Sequence, residues 1–297
     1  MTLLVDPPRW PAHGTRFAHL VSDTSLNELH AFAEAAGLPA RAFDHDHYDV
    51  PERRHADLVA LGAVPVPEKE LLRRLRAAGL RVRPAERTPS ASRVLPVLRQ
   101  AWQETLPQAP ELGRELLARW QEPHRAYHDV RHLAQALSAA GFVADGRAPL
   151  AVRLALWFHD AVYQLRPGQD EEDSARLAEQ RLAGLLRDEE IAEVARLVRL
   201  TATHTVAADD PAGAILADAD LSVLGQPPGR YHVYVRDVRT EYGHLSDTEF
   251  RQGRLAVLER LAGRDPLYAT ESGRAAWAEP ARANLAEERQ RWEAAAG

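Results

Sequence analysis

Two short runs carry most of the information about the C-terminal two-thirds of this chain: Tyr127-His128-Asp129-Val130-Arg131-His132 and Leu156-Trp157-Phe158-His159-Asp160. The first run places two histidines four residues apart, and the second ends an apolar stretch with a His-Asp doublet. A third run, Asp218-Ala219-Asp220-Leu221, places two carboxylates in an otherwise apolar segment. Together the three runs predict a metal site that is assembled from several helices.

The spacing of these residues gives the physical reason for this prediction. Residues four apart share one face of a helix, so His128 and His132 are expected to point into one cavity. Burial of Asp160 beside two aromatic side chains would be costly unless a cation or a donor compensates its charge. Adjacent helical residues diverge by about 100°, so His159 and Asp160 converge only on an ion placed between them.

The composition restricts the chemistry that such a site can use. The 297-residue chain has 13 histidines and no cysteine, which excludes disulfides, thiolate metal sites and a cysteine nucleophile. A divalent metal would therefore be bound by imidazole and carboxylate groups, a ligand set that suits Mn, Mg, Co, Ni, Fe or Zn. The net charge of -6 offers no basic footprint, and no nucleic-acid partner is predicted.

The chain carries no sign of a membrane span or a signal peptide. No apolar run approaches the roughly 18 residues that a span requires, so no membrane partner is expected. The first residues, Met1–Asp6, lack the basic start and long apolar core of a signal peptide, and a cytoplasmic location is expected. The length predicts about two domains, and the polar, proline-containing segment Arg83–Ser92 is the predicted boundary.

Residues 1–85 are predicted to form a small α/β domain. Three short apolar runs, Leu3–Val5, His19–Val21 and Leu80–Val82, are typical of strands. Good N-cap residues or helix-initiating prolines mark the helix starts. Three helices are expected, after Ser25, Pro51 and Pro67.

A second polar cluster is predicted within this α/β domain. In an extended run, His45, His47 and Asp49 would share one face of a strand, since side chains alternate along it. Two interpretations are open: a binding site, and a solvated loop whose histidines and aspartates satisfy turns. The candidate site residues are Asp6, His19, Asp23, His47 and Asp49.

Four runs in this segment resemble a known family. They are Val5–Trp10, His19–Asp23, Glu28–His30 and His47–Pro51. These runs resemble an uncharacterised bacterial family, domain-of-unknown-function family 4031 (DUF4031). The resemblance covers nearly all of the segment, and it implies the identity of a domain without an activity.

Residues 93–297 are predicted to form an all-α domain, because their apolar residues recur at helical spacing and no strand pattern is present. Gly141 is expected to cap the helix that follows the first histidine run. Pro149 is expected to open the next helix, and the last helix is predicted over Pro280–Ala294.

The order His, His-Asp, Asp on helices resembles the HD superfamily of metal-dependent phosphohydrolases, over about residues 95–262. The runs that carry it are Tyr127–His132, Ala155–Tyr163, Glu171–Ala175 and Asp218–Gly225. The resemblance implies an HD-type helical fold with four metal ligands, namely His132, His159, Asp160 and Asp220. Asp218 is the alternative to Asp220 if the register slips.

The resemblance also implies roles around the metal. His128 corresponds to the general acid of related cyclic-nucleotide phosphodiesterases, although Asp129 stands where those enzymes usually have Asn. Glu171 or Glu172 would orient the attacking water or bind a second ion. Substrate contacts are predicted from Arg125, Arg131 and His204. For the glutamates, the arginines and His204, ordinary roles at helix ends or as solvated side chains stay open.

The sequence therefore predicts a metal-dependent phosphohydrolase that acts on a phosphate ester, of a nucleotide or a similar small molecule. The metal would lower the pKa of a bound water to give hydroxide for attack on phosphorus, and His128 would protonate the leaving oxygen. One alternative is a non-catalytic regulatory protein that binds a metal and a nucleotide. Another makes the N-terminal domain a separate enzyme that uses Asp6, His47 and Asp49. The oligomeric state is open, and a homodimer is compatible with the sequence.

Overall fold

The structure is a computed structural model that describes residues 2–84 and 87–294. The chain divides into two compact units, which are Met1–Arg87 with Pro227–Val233, and Thr88–Gln226 with Tyr234–Gly297. Residues 227–233, which the sequence analysis assigned to the C-terminal domain, group with the N-terminal unit. The predicted domain limits at Met1, Ala85 and Gly297 lie outside the described residues.

The N-terminal unit is built on a six-stranded sheet. Its strands are β1 (Leu3–Val5), β2 (Trp10–Ala12), β3 (Thr15–Ser22), β4 (Phe43–Asp44), β5 (His47–Pro51) and β6 (Val64–Pro65). The sheet order is β4-β5-β3-β1-β6, with β2 folded back on β3. β1 pairs antiparallel with β3 and parallel with β6, and β3 pairs antiparallel with β5.

Three helices accompany this sheet: α1 (Leu26–Ala35), α2 (Glu52–Ala60) and α3 (Glu68–Ala77). The side chain of Ser25 accepts the backbone N–H of Glu28 at 3.1 Å, which caps α1 as the sequence predicts. Apolar side chains of all three helices and of the central strands form one core. The prediction of a small N-terminal α/β region is confirmed.

Two local predictions in this unit were wrong. Within the described residues, Leu80–Val82 forms no strand, because the N–H of Val82 donates to the carboxylate of Asp46 at 2.7 Å rather than to a neighbouring strand. The run from His45 to Asp49 is not one strand, since His45 and Asp46 form the turn between β4 and β5. His45 has a φ of 61° and turns away from the face of β5 that it was predicted to share.

The second unit is mostly helical, as predicted. Its helices are α4 (Ala91–Thr105), α5 (Pro110–Arg119), α6 (Val130–Val143), α7 (Leu150–Phe158), α8 (Gln169–Leu182), α9 (Asp188–Leu200), α10 (Pro211–Asp220), α12 (Asp247–Ala262) and α13 (Glu271–Ala294), with a 3-10 turn at Leu221–Gly225. The part of α11 (Pro228–Glu241) from residue 234 onward also belongs to this unit, whereas its first residues group with the N-terminal unit. In the described part of the chain, no helix has the length and apolar character needed to span a bilayer.

Two helix limits differ from those predicted. Gly141 lies inside α6 and does not cap it, because the chain leaves the helix only at Asp145 and Gly146, which both have positive φ. The last helix begins at Glu271 and contains Pro280. A tertiary contact explains this early start, since the side chain of Asp218 accepts the N–H groups of the two residues before Glu271.

Three helices, α6, α7 and α10, position the residues discussed below. Their buried faces belong to one apolar core that includes Leu133, Leu154 and Leu216. The indole N–H of Trp120 donates to the carbonyl of Trp157 at 3.0 Å. Because this carbonyl lies in the last turn of α7, the bond secures the end of the helix just before the His-Asp doublet.

Candidate functional site

Four predicted side chains converge in the helical unit. His132 lies on α6, Asp220 is the last residue of α10, and His159 and Asp160 directly follow α7. The Nε2 atom of His132 lies 3.0 Å from Oδ1 of Asp220 and 3.1 Å from Nε2 of His159. The Nε2 atom of His159 lies 3.1 Å from Oδ2 of Asp160. These four residues are called the ligand cluster below.

The spacing within the ligand cluster suits one divalent ion. Donor atoms about 2.1 Å from a metal lie about 3.0 Å apart at right angles and about 3.4 Å apart at tetrahedral angles. His159 Nε2 and Asp220 Oδ1 are 3.5 Å apart, whereas His132 Nε2 and Asp160 Oδ2 are 3.8 Å apart. His132, His159 and Asp220 therefore form a compact set within 4.8 Å, with Asp160 at its edge.

The two kinds of ligand differ in burial. The side chains of His132 and His159 are 3% and 1% exposed, whereas Asp160 and Asp220 are 16% and 12% exposed. The histidines thus form the closed side of the cluster, and solvent reaches it past the carboxylates. A site that is open on one side leaves room for water or a substrate.

A backbone contact fixes the ring of His159. Its Nδ1 atom donates to the carbonyl of Leu156 at 2.8 Å, so in the neutral ring Nε2 carries the lone pair. The ring of Trp120 packs against it, with ring centroids 5.3 Å apart. These two contacts therefore fix the position of the His159 ring and, in its neutral form, its tautomer.

Charges in the ligand cluster favour a cation. Burial lowers the pKa of His159, but the charges of Asp160 and Asp220 outweigh burial and hold this pKa well above its usual value. Burial likewise raises the pKa of both carboxyl groups, yet the charge of His159 outweighs it and lowers both pKa values. A divalent ion would replace the proton of His159, since a metal ligand must be deprotonated.

His204 contacts the ligand cluster from outside. Its Nε2 atom lies 2.7 Å from Oδ2 of Asp220, whereas the other oxygen, Oδ1, is the one beside His132 and His159. His204 follows α9 in a turn and has a φ of 53°. The structure thus brings His204 to the site, as a residue that orients Asp220.

His128 lies beside the ligand cluster and is paired with a glutamate that the sequence analysis did not identify. Its ring centroid lies 5.6 Å from that of His132. Its Nδ1 atom lies 2.7 Å from Oε2 of Glu241, which is on α11 and 113 residues further along the chain. No local pattern indicated Glu241, because the pairing depends on how α11 packs.

Glu241 holds His128 through a fully bonded, buried carboxylate. Its Oε1 atom accepts the backbone N–H groups of Ala126, Tyr127 and His128, each at 2.8 Å. Its Oε2 atom also accepts the hydroxyl of Tyr163 at 2.8 Å. The glutamate therefore positions both the imidazole and the backbone of the loop that carries it.

The pairing of His128 with Glu241 shifts the pKa of both groups. Burial lowers the pKa of His128, but the hydrogen bond and charge of Glu241 outweigh burial and raise it. Burial raises the pKa of Glu241, whereas the bond to His128 and the backbone N–H groups lower it to about 2. The pair thus favours a protonated imidazole held by an ionised carboxylate.

Arg125 occupies a different place from the substrate contact that was predicted. Its side chain is fully buried. Its Nη1 atom donates to the carbonyls of His128 at 3.0 Å and Asp160 at 2.8 Å, and its Nε and Nη2 atoms donate to Glu122. Arg125 therefore ties the loop before α6 to the doublet after α7.

Arg131 was also predicted to contact the substrate. Its Nε atom donates to the carboxylate of Asp129 at 2.8 Å, and Nη2 donates to the carbonyl of Ala126. Asp237 lies 3.5 Å away. These bonds engage the guanidinium at the start of α6, so the structure gives it a local structural role.

The two predicted catalytic glutamates lie at the start of α8. Glu171 accepts the N–H of Gly168 at 2.6 Å and so caps that helix. Glu172 forms ion pairs with Arg176 at 2.9 Å and Arg199 at 2.6 Å. Among the described residues, these are the polar contacts of the two side chains, and the structure does not bring either into the ligand cluster.

Asp218 is separated from the ligand cluster. It is 1% exposed and accepts the N–H groups of Ala269 at 2.7 Å and Thr270 at 2.8 Å. The structure therefore brings Asp220, and not the alternative Asp218, to the cluster. The side chain of Asp218 is instead engaged at the start of α13.

In the N-terminal unit, four of the five candidate residues come together. His19, His47 and Asp49 each present one ligand atom, and these atoms lie within 4.8 Å of one another. Asp6 lies behind His19, with its Oδ2 atom 2.9 Å from Nδ1 of the ring. The structure thus forms a compact polar cluster from residues that were predicted to be near each other.

Asp23 is the candidate that does not join them. Its carboxylate accepts the N–H of Thr2 at 3.0 Å and is paired with Arg74 of α3. Asp23 therefore holds the backbone of Thr2 in place. Asp46, which the sequence analysis did not select, lies next to His47 instead, with Oδ1 2.7 Å from Nδ1 of the ring.

The comparisons with known proteins concern only the N-terminal segment. A sequence profile described as a protein of unknown function (DUF4031) matches residues 3–78, which are 76 of the 297 residues. No curated protein and no solved structure is significantly similar to the chain. The resemblance of the helical unit to the HD superfamily receives no support from these comparisons. The N-terminal segment is thus similar to the DUF4031 family, as predicted, and the family's description names no activity.

Proposed function

We propose that the helical unit is a metal-dependent phosphohydrolase of the HD type, which acts on a phosphate ester such as a nucleotide or a similar small molecule. The observation that carries this proposal is the convergence of the ligand cluster beside a histidine that is paired with Glu241. The motif order along the chain and the convergence in space are two arguments that support the same residues, with His132, His159 and Asp220 in the compact set and Asp160 at its edge.

The ligand cluster suits a divalent cation by charge as well as by geometry. Two ionised carboxylates, Asp160 and Asp220, balance a charge of two, while His132 and His159 bind as neutral ligands. A divalent ion held there would supply an activated water and a positive charge opposite the phosphoryl oxygens. His204 holds Asp220 in place through its outer oxygen.

His128 is the proton donor to the leaving oxygen in this proposal. Its pairing with Glu241 favours the protonated ring and directs Nε2 away from the glutamate. The ring is 24% exposed, so a substrate can reach it. General acid catalysis of this kind contributes typically about 10²- to 10⁴-fold to a rate.

A second candidate function is binding of a metal and a nucleotide without turnover. One observation favours it: Glu171 and Glu172, predicted to orient the attacking water, are engaged in contacts at the start of α8. A regulatory role would need only the ligand cluster and a bound nucleotide.

The test uses the purified full-length chain reconstituted with Mn²⁺, Co²⁺, Ni²⁺ or Zn²⁺. Hydrolysis of nitrophenyl phosphate mono- and diesters and of a nucleotide panel is compared with that of Asp160→Ala. Asp209→Ala, which removes an exposed aspartate of the same unit, is the matched control. We expect activity in the wild type and the control and a loss in Asp160→Ala. Equal rates in all three proteins contradict the proposal, and tight nucleotide binding without product supports the second candidate.

A further inference from the structure

We propose that the N-terminal unit contains a divalent-metal site of its own, formed by His19, His47 and Asp49 and open to a cavity of about 410 Å³. This site is independent of the proposed phosphohydrolase activity, because it uses none of the residues of the ligand cluster. The DUF4031 description assigns no metal to this segment.

The sheet register places the three ligands on one face. His19 on β3 and Asp49 on β5 are directly opposite each other in the antiparallel pair. Residues opposite each other have Cβ atoms about 4.5–5.5 Å apart and point to the same side. His47 lies two residues before Asp49 on β5, so it also points to that side. The backbone of two hydrogen-bonded strands therefore fixes the ligand set.

Buried carboxylates hold both histidines. Asp6, 1% exposed, contacts Nδ1 of His19 at 2.9 Å and accepts the backbone N–H of the same residue at 2.6 Å. Asp46, fully buried, contacts Nδ1 of His47 at 2.7 Å. In each case the ring donates from Nδ1, and Nε2 is left for a metal. Metal-binding histidines are commonly held by a carboxylate in this way.

The second oxygen of Asp46 explains why this carboxylate stays in place. It accepts the N–H of Val82 at 2.7 Å and lies 2.9 Å from Nη1 of Arg81. Burying an ionised carboxylate costs free energy unless its oxygens are bonded. The bonds to Val82 and Arg81 offset that cost, and the result is a fixed acceptor behind His47.

The distances suit a metal with an open coordination side. Nε2 of His47 and Oδ1 of Asp49 are 3.5 Å apart, near the about 3.4 Å of tetrahedral ligands. The rings of His19 and His47 meet edge to face with centroids 4.8 Å apart. Three protein ligands with a free position are typical of catalytic rather than structural metal sites.

The free side of this site faces the cavity. Its lining includes Trp10, His19, His47, Asp49, Leu72 and Arg81. Asp49 is 47% exposed, so an ion enters without opening the fold. Because two of the three ligands are imidazoles, the site suits Mn, Fe, Co, Ni or Zn better than Ca or Mg.

The experiment counts metal ions on the full-length, untagged chain. Protein is stripped of metal, dialysed against Zn²⁺, and analysed by inductively coupled plasma mass spectrometry. In a chain whose ligand cluster is disabled by His132→Ala and His159→Ala, we expect one Zn²⁺ per chain. Adding His47→Ala to that chain is expected to remove it, whereas adding His13→Asn, at an exposed histidine of the same unit, is expected to leave it.

Asp49→Asn keeps the shape of the side chain at a half-exposed position. It therefore tests the site with a substitution that is expected to leave the fold intact. In the same disabled chain it is expected to weaken Zn²⁺ binding at least about tenfold by titration. Circular dichroism checks that every variant is folded. Absence of Zn²⁺ from the disabled chain, or binding unchanged by both His47→Ala and Asp49→Asn, overturns the inference. Neither result bears on the phosphohydrolase proposal, because that proposal is tested by measuring hydrolysis by the wild-type chain.

Discussion

Two clusters of histidine and aspartate lie in the two units of this chain, and they hold their histidines by different means. In the N-terminal unit, His19 and His47 are each held by a buried aspartate. In the helical unit, His159 is held by a backbone carbonyl, and His128 by Glu241. A carboxylate behind a ligand raises its basicity more than a carbonyl does, since it adds a charge. In the two proposals above, the N-terminal cluster holds a metal alone, whereas the helical cluster combines a metal with a proton donor, His128.

The two clusters also differ in how their residues are brought together. The ligands of the N-terminal cluster come from two paired strands, so strand register alone sets their spacing. The ligands of the helical cluster come from α6, α10 and the segment after α7, and their spacing depends on helix packing. Variants that disturb packing should therefore affect the helical cluster far more than the N-terminal one.

The largest expected effect is that of metal removal. Treating the full-length chain with a chelator should abolish the proposed phosphohydrolase activity, and adding back a divalent ion should restore it, because in this proposal the ion activates the attacking water. The measurement is the rate of nitrophenyl phosphate hydrolysis before stripping, after stripping and after reconstitution. Activity that survives complete metal removal would assign the chemistry to another site.

Glu241→Gln tests the separation of binding from proton transfer. Without the charge of Glu241, the pKa of His128 falls, so less of the acid form is present at neutral pH. We expect kcat to fall by about 10²-fold or more. The metal content should stay unchanged, since Glu241 is not part of the ligand cluster.

The pH dependence of the rate is a second measurement on Glu241→Gln. A raised pKa keeps His128 protonated to higher pH, and its contribution is lost as the pH rises through that pKa. The alkaline limb of the rate profile should therefore move to lower pH in Glu241→Gln. A limb that does not move, with normal metal content, would show that His128 is not the acid.

Two arginine variants test how the two clusters are held together. Arg125→Ala concerns the helical cluster, and Arg81→Ala concerns the N-terminal cluster. Arg125 is fully buried and joins two loops of the helical cluster, whereas Arg81 is 26% exposed and its partner Asp46 keeps another donor. We expect losses in the free energy of unfolding of about 2–4 kcal/mol for Arg125→Ala and about 1 kcal/mol or less for Arg81→Ala. Urea unfolding followed by circular dichroism measures both, and equal losses would contradict the comparison.

Asp46→Asn sharpens the N-terminal half of the comparison. Removing the charge behind His47 should weaken Zn²⁺ binding at this site by about 10- to 100-fold, the range for partners of metal-binding histidines. The measurement uses the chain in which His132→Ala and His159→Ala disable the ligand cluster, so that Zn²⁺ binding is read at the N-terminal site alone. Asp209→Ala in the same chain is the control, and an affinity equal to the control would remove Asp46 from the site.

Local patterns were enough to predict several elements. The apolar runs Leu3–Val5 and His19–Val21 lie in strands, and the helix that begins after Ser25 is present. The prolines at 51 and 67 immediately precede α2 and α3. These predictions succeeded because each depends on the preferences of neighbouring residues. The roles of His132, His159, Asp160 and Asp220 as metal ligands were implied by a resemblance and stay a prediction, while the structure places the four side chains near one another.

Other features depended on contacts that no local pattern contains. Val82 was expected in a strand, but its N–H donates to Asp46, 36 residues earlier. Asp218 was weighed against Asp220 as a ligand, but its side chain bonds to the residues just before α13, on a part of the chain about 50 residues away. Arg125 was predicted to contact the substrate, but its side chain is fully buried and ties two loops together.

By itself, the sequence determined the two-part order of the chain, the ligand types and the candidates for the ligand cluster. Periodicity, capping and the absence of cysteine are properties of neighbouring residues or of composition, so they can be read without a fold. The tertiary structure alone decided the partners of those residues: Glu241 behind His128, Asp46 behind His47, and Arg125 between the two loops. Partners of this kind lie on separate elements, and packing, which couples distant parts of the chain, brings them within hydrogen-bond distance.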